Sequence, residues 1–458
     1  MMKLYTSDRR FYVKTLKFAI PITLQCLITT GVNMTDNIMV GALGENALSA
    51  VSLANQFISI FQTADYGDFN LSVSIWDNRF FYTRFWGMQD KDALKKTISI
   101  VLRYGLLIAA GFTVATLFFP GTIMRMYIDD TAVIQEGVRY FGFSAYCYIF
   151  WALSLIASNI LRSVGKVQIP LYTSVLAFFA NVGLNYIFIF GKLGLPAMGV
   201  SGAALGTLLS RVLETGIIFG YMVLVDRSIH YRIRDIFLHS KHLNREFFVV
   251  ALPVMVSDTL QGFGNNVIAM ITGQIGAQFV AAYSITTVVQ QMSSVLTQGI
   301  AQSSSIVVGH TLGSGDTDRA KEEANAFLGL GIVVGIVAGG IILAVSGPII
   351  SCYNITDSTK QLAQQLMYAI AFIVFFRSVN SILTKGVLRG GGDTRFLMVA
   401  DIIFLWITSV PLGYVAGVVL MAPAFLVYCA LKMDEILKCV LCVYRLRSEK
   451  WIKKISVE

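Results

Sequence analysis

The chain has 458 residues, 55% of them hydrophobic and only 14% charged, with a mean hydropathy of +0.66, which excludes an ordinary soluble domain and points to a polytopic membrane protein. The formal net charge of +9 in so apolar a chain reads as basic anchoring at the cytoplasmic surface, with no nucleic-acid partner expected. Six cysteines, Cys26, Cys147, Cys352, Cys429, Cys439 and Cys442, show no metal-ligand spacing, and the Cys439/Cys442 pair has no His or further Cys beside it, so neither a metal nor a redox centre is expected.

From the N-terminus, Lys3, Arg9, Arg10, Lys14 and Lys17 precede an apolar run that continues too far for a secretory signal and lacks a small-residue cleavage site. It is read as a retained first span. Apolar runs long enough to cross a bilayer then predict spans at 15–38, 51–82, 97–119, 136–160, 168–190 and 200–225. The polar stretch 226–246 follows, with His230, His239 and His242, and reads as a solvated basic linker more readily than as a metal site. Six further spans are expected at 248–272, 280–308, 323–350, 362–385, 396–415 and 417–443. The domain organisation is thus 1–225, a linker 226–246, and 247–458 with a basic tail.

With both termini cytoplasmic, 27 of the 36 Lys and Arg fall in cytoplasmic segments and four, Arg125, Arg139, Lys192 and Lys360, in external ones, as the positive-inside rule requires. The other five, Arg79, Arg103, Arg211, Arg377 and Lys432, lie inside spans.

The two halves repeat. Placing Ala19–Leu24 over Ala251–Val256 sets one offset that, with no gap, also pairs Gly41 with Gly273, Gly44 with Gly276, Ala50 with Ala282 and Ser52 with Ser284. Farther on, Gly87–Lys96 matches Gly313–Glu322 at a slightly shorter offset. Since each half holds an even number of spans, the repeat is parallel, related by an axis along the membrane normal, with a transport pathway expected between halves.

Three stretches, DNIMVGALGENALSAVSLANQ (36–56), ANVGLNYIFIFGKLGLPAMGVSGAALGT (180–207) and KGVLRGGGDTR (385–395), together resemble the multidrug and toxic compound extrusion (MATE) family from about Lys14 to Trp451. The resemblance implies an all-α fold of twelve transmembrane helices in two six-helix lobes related by pseudo-two-fold symmetry. It also implies a bacterial inner-membrane antiporter that exports cationic amphipathic compounds in exchange for H⁺ or Na⁺ by alternating access. Asp36 stands where the family places its N-lobe acid. Asn181 and Asn185, one helical turn apart, stand where one branch carries Asn and Asp, so a second carboxylate is missing. Thr207 stands where a hydroxyl faces the same pocket. Another branch's C-lobe acids are replaced by Gln261 and Ser378, leaving Asp258, Gln261, Arg377, Asn380 and Asp401 as candidates, with Asp401 expected to pair with Arg377. An intramembrane charge costs roughly 2.5 to 3.5 kcal/mol on insertion scales, so each needs a partner or water.

The glycines of GVSGAALG (199–206) and those at 331, 335, 339 and 340 suit close helix packing. Aromatic and Met side chains suit an adaptable apolar cavity. HTLGSGDTDRAK lacks phosphate-loop spacing and reads as a helix-to-helix joint, and no motif speaks for an enzyme or for ATP. No cofactor is expected beyond the coupling ion, and a monomer is the default.

One stretch, 64–87, breaks the pattern, with Asp65, Asp68, Asp77 and Arg79 inside the second span and an excess of length over its repeat partner. A local disturbance of the reading frame is favoured over a polar kink lining the cavity or a small insertion, with apolar helix resuming around Phe81–Trp86. Such a disturbance would leave a transport-impaired chain. Two other functions compete with export. A lipid-linked oligosaccharide flippase would need several cavity cations for phosphate, and a receptor or scaffold would need no repeat.

Overall fold

The computed structural model describes residues 5–6, 8–62, 79–351 and 356–453; of the odd second-span stretch, 64–78 therefore lies outside the described residues. Helices dominate: α1 (Arg9–Gly41), α2 (Glu45–Gln62), α3 (Arg79–Gly87), α4 (Lys91–Phe118), α5 (Thr131–Ser144), α6 (Cys147–Ser163), α7 (Gln168–Phe190) and α8 (Val200–Val225). Beyond the linker come α9 (Lys241–Ile275), α10 (Ala277–Gly313), α11 (Thr317–Ser351), α12 (Asp357–Gly391), α13 (Thr394–Val419), α14 (Ala424–Leu431) and α15 (Met433–Arg447). Among the described residues, eight of these are long and apolar enough to cross a membrane. The pair α5 and α6, where the sequence reads a single span, makes a ninth if taken as one and bends by 51°. The twelfth segment also departs from expectation, because it breaks at Lys432 between α14 and α15.

Helix resumes at Arg79, close to where the sequence places it. Arg79–Phe85 are all buried, and Arg84, counted from sequence among the loop cations, sits 4% exposed with its guanidinium 5.4 Å from the centre of the Phe80 ring.

The internal repeat is visible in the backbone. Gly44 and Gly276 both have left-handed φ, 115° and 136°, at the joints leading into α2 and α10. A residue with a Cβ adopts such angles only under strain. At the second matched joint, Gln89 (φ 60°) and Gly315 (φ 87°) make the same turn. Beside them, Asp90 Oδ1 accepts the Ala93 N–H at 2.9 Å and Asp316 Oδ1 accepts the Arg319 N–H at 3.0 Å, so one carboxylate caps each following helix. The expected helix joint at HTLGSGDTDRAK is thus what forms there.

A third pair of joints, not found from sequence, matches across the halves: LRSVGK (161–166) and LRGGGD (388–393), with Gly165 at φ 86° and Gly392 at φ 89°. Arg162 donates to Gln25 Oε1 at 2.6 Å, and Arg389 reaches Asp258 Oδ1 at 3.4 Å. In the later joint Gly391 packs beneath the fully buried Trp451 ring, and its carbonyl accepts the Lys453 N–H at 2.9 Å.

Packing divides the chain into two compact units. One holds the described residues from Leu24 to Phe248, the other those through Thr23 together with those from Val249 on. The division falls inside α1, just past Pro21, where a proline removes one backbone hydrogen bond from the helix.

Candidate functional site

Within the first unit, the sequence candidates converge. Asn181 and Asn185 are four residues apart on α7, a spacing that stacks two side chains on one helix face, and both are buried, at 2% and 0% exposure. Asn185 Nδ2 donates to Asp36 Oδ1 at 2.6 Å and lies 3.4 Å from Asn181 Oδ1. Asn181 Nδ2 in turn reaches Thr207 Oγ1 at 3.4 Å and Ser210 Oγ at 3.5 Å. Asp36, Asn181, Asn185 and Thr207 therefore form one chain of polar contacts, and Asp36 is half-buried at its end.

Close helix approach makes this possible. A Cβ on Gly202 would meet the Phe188 carbonyl oxygen at 2.5 Å, and one on Gly206 would land on Asn185 Oδ1 and lie 3.0 Å from its backbone nitrogen. Small residues at these two positions of α8 let it lie against α7, as the sequence suggested.

Two side chains that the sequence reading did not single out together complete the surroundings. Arg211 Nη1 donates to Glu214 Oε2 at 2.5 Å, and its guanidinium lies 4.5 Å from the Trp151 ring centre. A cavity of about 20 Å³ is lined by Asn181, Ser210, Arg211 and Glu214 along with Thr29 and Ser174. That is room for about one water or a monovalent ion of similar size. Among the described residues, no basic side chain comes within ion-pair distance of Asp36, although the Arg211 charge acts on it from farther away.

The second unit corrects one expectation. Asp401 does not pair with Arg377. Its two oxygens take the Lys438 ammonium at 3.2 Å and the Ser257 hydroxyl at 2.6 Å, while Arg377 lies 4.0 Å from Glu435. Lys438, counted from sequence among the tail cations, is 2% exposed and also reaches Asp434 at 2.9 Å. A buried ammonium lying between two carboxylates satisfies both, so Asp401 has no need of Arg377. Asn380 donates to Glu435 Oε2 at 2.6 Å, and Asp258 belongs with Arg389 at 3.4 Å. Gln261 is half-buried on α9 and makes no hydrogen bond to these groups. By these contacts the C-lobe candidates fall into three sets, Asp401 with Lys438 and Ser257, Arg377 and Asn380 with Glu435, and Asp258 with Arg389, with Gln261 in none of them.

A family model described as MatE matches residues 21–187 and again residues 253–415. The chain belongs to the MatE family. Residues 21 and 253, where the two matches begin, are themselves paired by the offset of the internal repeat. Among curated proteins, a relative named "Probable multidrug resistance protein NorM" from Photorhabdus laumondii is 24% identical over 414 residues, covering 89% of this chain and 88% of the relative. "Uncharacterized transporter YisQ" from Bacillus subtilis is 21% identical over 451 residues, covering 98% and 96%. A solved structure titled "Outward-facing conformation of a multidrug resistance MATE family transporter of the MOP superfamily" superposes with a TM-score of 0.83 at 17% identity, over 95% of this chain and 96% of that one. The all-helical polytopic fold is thus that of MATE transporters, and this MatE member is a membrane transporter rather than an enzyme.

Proposed function

We propose that the protein is a secondary active exporter that moves cationic amphipathic compounds outward in exchange for H⁺ or Na⁺, from the inner membrane of a bacterium, as a monomer with both termini in the cytoplasm. The observation that carries this reading is Asp36: a carboxylate held by an amide 2.6 Å away, with which no basic side chain among the described residues pairs. One negative site contested by two cations gives exchange, since whichever binds displaces the other. The relative named for multidrug resistance supports export of drug-like small molecules, and the negative charge of Asp36 favours cationic ones.

The flippase reading has less support. Of the basic residues within spans, Arg103 donates to the Ser99 and Leu238 carbonyls, Arg211 is on Glu214, and Arg377 faces Glu435. Two of these charges, those of Arg211 and Arg377, are thus matched by carboxylates rather than offered to a lipid phosphate.

The test is efflux of a fluorescent cationic dye from proteoliposomes under separately imposed H⁺ and Na⁺ gradients, for the parent and Asp36→Asn. Gradient-driven efflux that disappears in Asp36→Asn is the expected result and identifies the ion. Equal efflux in both proteins would overturn the role given to Asp36. A correctly inserted parent that moves nothing would point to an impaired second span or another substrate class, which replacement of 65–79 by apolar helix would separate.

A further inference from the structure

The cluster beside Asp36 holds two carboxylates, Asp36 and Glu214, and one guanidinium, Arg211. The other titratable side chains whose charge bears on it, Tyr140, Cys147 and Tyr148, are uncharged at neutral pH by their ordinary chemistry. With both acids ionised, the cluster is one negative charge in excess. That excess resides on Asp36, because Arg211 is committed elsewhere: 2.5 Å from Glu214 and 4.5 Å from the Trp151 ring centre.

Resting on the reading of Asp36 as the cation site, we propose that Glu214 is a positioning residue that holds the Arg211 guanidinium off Asp36 and so keeps that carboxylate open to one transported monovalent cation. Arg211 and Glu214 are three residues apart on α8 and face each other across a single turn. The tether is therefore short. Both line the small cavity that also meets Asn181 and Ser210, and Asn181 is the second link of the polar chain that ends at Asp36. A guanidinium released from Glu214 is drawn toward the unneutralised Asp36 carboxylate, on which its charge already acts. Flexible neighbouring cations compete with a transported one. Tying Arg211 down on both its charge and its ring face removes the competitor.

The inference separates cleanly from a merely structural ion pair through a double substitution. An apolar carbodiimide modifies a carboxyl in its protonated form inside a membrane, and peptide mass spectrometry of the full-length protein in liposomes reads the modification at Asp36 across neutral pH. The parent is expected to label. In Glu214→Gln, freed Arg211 holds Asp36 ionised, and labelling falls about tenfold, one unit of apparent affinity for the proton. In Arg211→Gln with Glu214→Gln no cation is freed, and labelling returns to the parent level. Labelling in Glu214→Gln equal to the parent, or a double variant as poorly labelled as the single one, would overturn the proposal. Should Glu214→Gln fail to fold, Arg211→Gln serves alone. It must label at least as strongly as the parent, and a loss there also overturns the inference. Dye efflux in the same preparations is expected to follow the same order. A parent that labels and responds to these substitutions yet moves no dye would leave Glu214's hold on Arg211 intact and refer the failure to the second span or the substrate class.

Discussion

Asn185 ties the acid to the helix packing around it. Its amide has one face toward Asp36 and one toward Gly206, so a glycine with no chemistry of its own decides whether the acid keeps its hydrogen bond. Gly206→Ala is expected to fold with a loss of roughly 1 to 3 kcal/mol from overpacking. A hydrogen bond to a charged group contributes about 1.5 to 3 kcal/mol, so efflux at subsaturating dye should fall roughly tenfold or more. Thermal midpoint and transport measured on one preparation test this; unchanged transport in a destabilised protein would leave Gly206 as packing only. The four N-lobe candidates were legible because Asn181 and Asn185 sit one turn apart within a recognisable motif. Glu214 and Lys438 were not singled out. An Arg and a Glu three apart, or a Lys in a charged tail, look the same in sequence whether they face water or sit 6% and 2% exposed.

At the scale of elements, the stretch after α8 is the main surprise. Its basic, histidine-containing composition reads as a solvated linker, yet it is strapped to its own unit. Tyr231 is 1% exposed with its hydroxyl 3.0 Å from Ser99 Oγ, and burial pushes the phenol up to about 12. Ser99 Oγ donates to the Asp235 carbonyl at 2.5 Å, and Arg103 to the Leu238 carbonyl at 2.8 Å. None of these partners is near in sequence, which is why pattern alone missed them. Asp226 anchors the start of the strap. Burial by itself would raise its carboxyl, but the Lys166 ammonium and the Ile229 N–H outweigh that and hold it below the usual carboxylate range. Because the folded value lies below the unfolded one near 3.9, the stability this contributes is whole above that pH and is lost as pH falls through the folded value. Below about pH 4 the parent's thermal midpoint should therefore fall more steeply than that of Asp226→Asn, while above it the variant should be the less stable of the two. Parallel pH profiles would remove Asp226 from the account.

For the molecule as a whole, the repeat was legible from two offsets, and the backbone repeats it at three pairs of joints. Among the described residues, packing divides the chain at two places: one, after Phe248, lies beside the linker end read at 246, while the other, inside α1, was not legible, because helical pattern runs unbroken through Pro21 and packing changes sides shortly after it. The repeat also holds a charge reversal that only the structure exposes. Lys166 pairs with Asp226 in the first unit; at the matching position of the second unit's joint, Asp393 pairs with Lys453 at 3.3 Å, and Arg445 joins it at 2.6 Å. Each helix joint thus holds the strap that follows its own half, with opposite polarity. Had the polarity been the same, either strap would suit either joint while the chain folds. As it stands, a strap on the wrong joint sets Lys453 against Lys166 or Asp226 against Asp393, and such like-charge contacts discriminate as effectively as the native attractions. Exchanging the first pair, Lys166→Asp with Asp226→Lys, keeps an attraction at both native sites but abolishes the discrimination. The native thermal midpoint should then fall by an amount corresponding to about 1 to 3 kcal/mol, because a lysine at 226 cannot accept the Ile229 N–H that the buried Asp226 carboxylate accepts. The yield of monodisperse protein on refolding from denaturant should fall below that of Asp226→Ala, which loses the same hydrogen bond without reversing the charge. A doubly exchanged protein that refolds as well as Asp226→Ala would show that the straps find their joints by Tyr231 and Trp451, the buried aromatic anchors, and that the charge reversal directs nothing.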